Sequence, residues 1–220
     1  DGPEEMQCIG ETEFVNGIAA MSASGEFGNC QLVAGIVGMA DLCLGTDVTE
    51  VLEAHIISGG GRFRGIRHGL AWNEDKNIPV IRTNPGSNLL MNKKFREGFS
   101  CLNSFGLSFE CWCYHPQLAE VCELAETFSE TIIILNHFGI PLGIGSYRDK
   151  EDQVFCEWKT NIKKLSKCEN VNIKLGGLNM LENGFDWHTQ NRPPTSEELM
   201  LNSRRYFETA IECFSPERCM

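Results

Sequence analysis

No apolar run in this 220-residue chain approaches the ~20 residues that a bilayer-spanning helix needs, so no transmembrane helix is expected. Positive charge is also scarce: 19 Lys and Arg face 30 Asp and Glu, a net charge of -11. Sequence-independent nucleic-acid binding and adhesion to anionic membranes both need basic patches, so neither partner is expected. The two basic clusters, Lys93, Lys94, Arg96 and Lys163, Lys164, Lys167, lie on helix patterns and read as solvated faces. No Gly-X-Gly-X-X-Gly follows a first strand and no Walker A pattern occurs, which argues against a nucleotide-binding sheet. An initiator Met is missing too. The start Asp1-Gly-Pro-Glu-Glu has no basic n-region followed by an apolar one, which reads as a fragment or processed chain without a signal peptide.

Cysteine, by contrast, is abundant. Eleven is an odd number, many fall inside strand and helix patterns, and no Asn-X-Ser/Thr sequon accompanies them. Disulfide scaffolds are small and loop-rich, so these cysteines read as reduced, small core hydrophobes in a cytoplasmic chain. Cys111-Trp-Cys113 puts two thiols on one strand face, but no second pair has zinc-finger spacing, and core packing is the expectation there.

Helix and strand patterns alternate along the chain. Helices are expected at Glu11–Ser24 (with Phe14, Val15, Ile18 and Met21 on one face), Thr46–Ile57, Lys93–Phe105, Gln117–Phe128, Asp149–Lys167 and from Thr195 to about Phe214. In the last, Thr195-Ser-Glu-Glu198 is a capping-box signal, and Tyr206, Phe207, Ala210, Ile211 and Phe214 are the expected buried face. Strands are expected at Gln31–Gly38, Arg62–His68, Leu107–Tyr114, in the run Thr131–Gly139, and at Val171–Leu175, with Ser215–Met220 approaching one more. The run Thr131-Ile-Ile-Ile-Leu-Asn-His137 reads as a strand buried on both faces, as in parallel sheets covered by helices. Residues 71–92 and 184–194 are irregular and suit lids or binding loops. One domain over 1–220 is expected, of α/β class, either a doubly wound sheet or a (β/α)8 barrel.

His68, His115 and His137 all fall at strand C-termini, where barrel enzymes place their chemistry. Imidazole there can bind metal, polarise a carbonyl or carry a proton. Lys174 nearly ends the following strand. Arg64 and Arg67 lie on the strand leading to His68, and guanidinium groups suit a carboxylate or phosphate. Each has a plainer reading: His68 as a loop cap, His115 before Pro116 as a turn residue, Arg64 as the partner of an acidic helix. His55 lies on a core stripe and reads as a satisfied helix histidine. His188 reads as a loop residue that could reach over a mouth as part of a lid.

Taken in order, Arg64-Gly-Ile-Arg-His68, the Leu107–Tyr114 strand, Ile-Leu-Asn-His137-Phe-Gly-Ile-Pro and Asn-Val-Asn-Ile-Lys174-Leu-Gly-Gly resemble the amidohydrolase-related TIM-barrel hydrolases, in particular the branch with sugar lactonases and pyrone-dicarboxylate lactonases. The resemblance implies an incomplete (β/α)8 TIM barrel. About five βα units would be present, with the first two strands and the last strand missing. It implies His137 as the middle-strand histidine and metal ligand, with His115 and Lys174 beside it in catalysis. The arginine-rich strand, Arg64, Arg67 and His68, would anchor substrate. It further implies one divalent metal ion, zinc or manganese, or none, since some lactonases of this family work without one. The pattern departs from the family in having no His-X-His, in stopping where a last acidic strand would begin, and in carrying Asn136 where an Asp is usual.

The expected function is therefore hydrolysis of a small carboxylated ring ester or amide by the full-length parent, with this span alone inactive. A decarboxylase or hydratase of the same superfamily and a non-catalytic barrel or fragment are the alternatives. A small molecule is the expected partner. Exposed strand edges of an open barrel would favour a homo-oligomer.

Overall fold

The computed structural model describes residues 2–79 and 84–220. Helices and strands alternate as α1 (Ile9–Ala23), β1 (Ile36–Met39), α2 (Val48–Ser58), β2 (Phe63–Gly69), α3 (Lys93–Ser104), β3 (Ser108–Trp112), α4 (Leu118–Thr127), β4 (Ile133–Leu135), α5 (Glu151–Leu165), β5 (Val171–Ile173) and α6 (Ser196–Phe214). The five strands are parallel and hydrogen-bonded in chain order, as expected of an incomplete α/β barrel. Of the irregular segment expected at 71–92, residues 80–83 lie outside the described ones. No helix among the described residues is long and apolar enough to cross a membrane.

The chain packs as two compact units. Of the described residues, the first comprises 2–68 and 91–110, the second 69–79, 84–90 and 111–220. In the first, Phe95 and Phe99 of α3 meet Phe109 of β3 edge-on, with centroids 6.2 and 5.0 Å away. Edge-to-face pairs of this kind add about 0.5–1.5 kcal/mol to the burial of the rings themselves. α3 backs closely onto the turn at Leu42–Asp47 because Gly98 has no side chain; a Cβ there would collide with the Leu42 carbonyl.

α1 does not bury the face expected of it. Phe14 and Met21 are exposed, whereas Ile9, Thr12, Ala19 and Ser22 are buried. A polar contact sets the rotation: the Thr12 hydroxyl lies 2.8 Å from Nδ1 of His55 on α2, whose Nε2 lies 3.0 Å from the Met39 carbonyl. His55 is thus fully buried and fully paired, as expected of a structural histidine. β1 is also shorter than the apolar run at 31–38. Val33 takes a positive φ of 57°, and strand geometry begins only at Ile36. Its side chains alternate inward and outward, leaving Val37 and Met39 exposed.

In the second unit, β4 and β5 pair in register, Ile133 with Val171 and Leu135 with Ile173. α5 buries Val154, Trp158, Ile162 and Leu165. α6 begins at the expected capping box: the Thr195 hydroxyl accepts from the Glu198 amide at 3.3 Å, and Glu198 Oε2 accepts from the Thr195 amide at 2.7 Å. It buries Tyr206, Thr209, Ala210 and Phe214, while Ile211, expected inward, is exposed. Past α6 the chain turns back, and Cys219 forms an isolated parallel bridge with Ile173.

Candidate active site

β4 ends in an unusual backbone. His137, Phe138, Gly139 and Ile140 all take positive φ (52°, 60°, 65° and 34°), a region that costs a non-glycine residue about 1–3 kcal/mol. Five contacts hold it. The Trp158 indole N–H on α5 donates to the Phe138 carbonyl at 2.6 Å. The Phe138 ring packs against Trp158 and Phe207. The Phe138 amide donates to the Lys174 carbonyl at 3.4 Å, and the His115 amide to the Ile140 carbonyl at 3.2 Å. Non-glycine residues held in this region concentrate at functional sites, because packing must outweigh the strain.

The strained turn aims the His137 ring at the two glycines that follow β5. Nδ1 lies 3.3 Å from the Gly176 carbonyl, which fixes this nitrogen as the proton-bearing one and leaves the lone pair on Nε2. Gly177, at φ +80°, has no side chain to occupy the space of the ring. His137 is half-buried. The adjoining Asn136 is fully buried, and neither its amide oxygen nor its nitrogen has a partner among the described residues. An unpaired buried polar group costs about 1–3 kcal/mol.

Lys174 sits one residue past β5, half-buried, and its amide donates to the Leu135 carbonyl at 2.9 Å. Beyond it the loop forms a pocket of about 420 Å³ lined by Met180, Glu182, Phe185, Trp187 and His188 among others. His188, exposed on the short turn Trp187–Thr189, belongs to this loop pocket.

His115 departs from its expected catalytic role. It does follow β3, but its ring is fully enclosed, packed edge-on against Tyr147 with centroids 5.1 Å apart. Its Nδ1 accepts from the Leu142 amide at 3.2 Å, so Nε2 carries the proton, and that N–H has no partner among the described residues. Burial drives its pKa down to about 4, so it is neutral at ordinary pH. Among the described residues the ring faces protein on all sides. It braces the turn after β4 against the end of β3.

In the first unit, His68 is the last residue but one of β2, its Nδ1 accepting from the Leu42 amide at 3.2 Å, with Asp41 at 4.0 Å. Burial lowers its pKa, with Asp41 opposing the shift. Arg67 pairs with Glu110 of β3 at 3.2 Å; the arginine is half-exposed and the carboxylate buried. Arg64 does not reach this end of the strand. It is the second residue of β2, about 10 Å of strand before Arg67, and its guanidinium folds back onto the carbonyls of Gly61 and Phe63. Its expected contact with substrate is therefore not provided.

As to a metal, His137 fits as one ligand: a half-buried imidazole whose second nitrogen is tied to a carbonyl, as ligating histidines usually are. Among the described residues, the His/Cys/Asp/Glu group close enough to hold an ion is a different one, Cys122, Glu126 and Cys168. Sequence reasoning missed the part played by the glycines after β5, although a Gly-Gly pair directly after a strand is itself a signal of close approach.

The family model described as Amidohydrolase matches residues 30–220. A Sinorhizobium fredii (strain NBRC 101917 / NGR234) relative, described as uncharacterized protein y4mH, is 31% identical over 216 residues, covering 96% of this chain and 60% of the relative. Among solved structures, an amidohydrolase from Burkholderia multivorans with bound zinc superposes with a TM-score of 0.70 at 22% identity, over 96% of this chain and 62% of that one. A Pseudomonas putida protein described as a 2-pyrone-4,6-dicarboxylic acid hydrolase gives 0.51 at 17% identity, over 84% and 54%. The chain thus spans about 60% of the length of the curated relative.

Proposed function

The chain belongs to the amidohydrolase family, and on that premise we propose that the whole protein hydrolyses a small carboxylated lactone, or a cyclic amide of similar shape. The observation that carries this reading is the His137 ring, oriented by the Gly176 carbonyl so that Nε2 is the accepting nitrogen. A divalent cation such as zinc or manganese, held in part by His137, would supply Lewis-acid polarisation of the scissile carbonyl. The zinc in the Burkholderia relative supports that assignment. Lys174, a cation at the end of β5, offers charge for an anionic substrate. His115 acts as a positioning residue, holding the turn that carries His137 through its own amide and the Ile140 carbonyl.

The 2-pyrone-4,6-dicarboxylic acid hydrolase description of the Pseudomonas relative suggests a doubly carboxylated ring as the first substrate class to try. The test is a panel of carboxylated and plain lactones with the full-length protein, read by proton release and, separately, by carbon dioxide release. Proton release with carboxylated lactones alone supports the proposal. Carbon dioxide release in its place would make the protein a decarboxylase, and turnover of neither kind, with cyclic amides also assayed by amine release, would leave a non-catalytic barrel.

A further inference from the structure

Cys122, Glu126 and Cys168 form a cluster that the proposed hydrolysis does not use. The two sulfurs and a carboxylate oxygen all lie within 4.8 Å of one another. Cys122 and Glu126 are one helical turn apart on α4, with Sγ 3.7 Å from Oε1. Cys168 comes from the turn between α5 and β5. That turn is fixed: the Asn170 side-chain amide donates to the carbonyls of Ala125, Phe128 and Thr131, stapling it to the end of α4. Arg218 donates to the Cys168 carbonyl at 3.0 Å from the other side.

We propose that Cys122, Cys168 and Glu126 bind a thiophilic divalent cation, zinc being the natural choice, with water completing a tetrahedron. Zinc–sulfur bonds of about 2.3 Å place tetrahedral ligands about 3.8 Å apart, so the present spacing needs little adjustment. Cys168 is buried, Cys122 partly so, and Glu126 exposed, which gives two anchored sulfurs and an open side for water. Coordination takes the proton from each thiol. Binding one M²⁺ forms two M–S bonds, breaks two S–H bonds and releases two protons to buffer, with no change of oxidation state. The cluster lies where β5 begins, whereas His137 follows the end of β4, so this is a second site. Its role is structural, clamping α4 to the turn after α5.

Cobalt tests it, because a thiolate–cobalt charge-transfer band in the near ultraviolet reports sulfur ligation and is silent on histidine. The reduced chain is expected to develop the band at one cobalt per chain. Cys122→Ser and Cys168→Ser each abolish it, and His137→Ala leaves it unchanged. Glu126→Gln, an exposed change that does not threaten folding, keeps the band and weakens affinity at least about tenfold. No band in reduced protein whose thiols react freely, or a band unaltered in Cys122→Ser, would overturn the proposal. So would a Cys122–Cys168 disulfide that survives reductant and excludes cobalt.

Discussion

Gly177 leaves the space that the His137 ring fills: a Cβ on Gly177 would stand 2.6 Å from Nδ1 and 2.9 Å from the ring's own Cβ. Two successive strands therefore cooperate on one side chain. β4 delivers it through a strained turn, and β5 supplies the carbonyl and the glycine that receive it.

Gly177→Ala should displace that ring. The positive φ and the collision together cost about 1–3 kcal/mol, measurable by urea unfolding. If the account is right, turnover falls far more than this modest loss of stability explains. An alanine variant with unchanged kcat/KM would show that the ring position does not matter.

Burial of His115 makes stability depend on pH. Its folded pKa, about 4, is below the ordinary 6.5, so the unfolded chain binds more protons between those values. Stability is then fully present above pH 6.5 and declines as pH falls through about 4, by at most about 3 kcal/mol. His55 and His68, also lowered by burial, act in the same direction. His115→Asn keeps an acceptor for the Leu142 amide and removes the titration. Its urea midpoint should vary less over this window than that of the unaltered chain.

Glu110 is a buried carboxylate paired with a half-exposed arginine. Arg67→Met should destabilise by about 2 kcal/mol, less than for a wholly buried pair because water screens the arginine. Adding Glu110→Gln should recover part of the loss, and a double-mutant cycle reads the coupling directly. Strictly additive effects would mean that the pair contributes nothing.

Much of the fold was legible because the signals were local. The Thr195–Glu198 box needs only the first turn of a helix, and it forms as written. The apolar runs before His137 and Lys174 announce β4 and β5. What was hidden depends on distant partners. The turn of α1 away from Phe14 is set by His55, and the depth of His115 by Tyr147. Cys122 and Cys168 are far apart in sequence and have no motif spacing, so only the packing of α4 against the turn after α5 reveals them.

The most direct test of the central claim is the zinc content of the full-length protein and its His137→Ala variant, both carrying Cys122→Ser so that sulfur ligation does not contribute. The account predicts near-stoichiometric zinc that is lost, together with lactone hydrolysis, when His137 is removed. Zinc and turnover both unchanged by His137→Ala would contradict it.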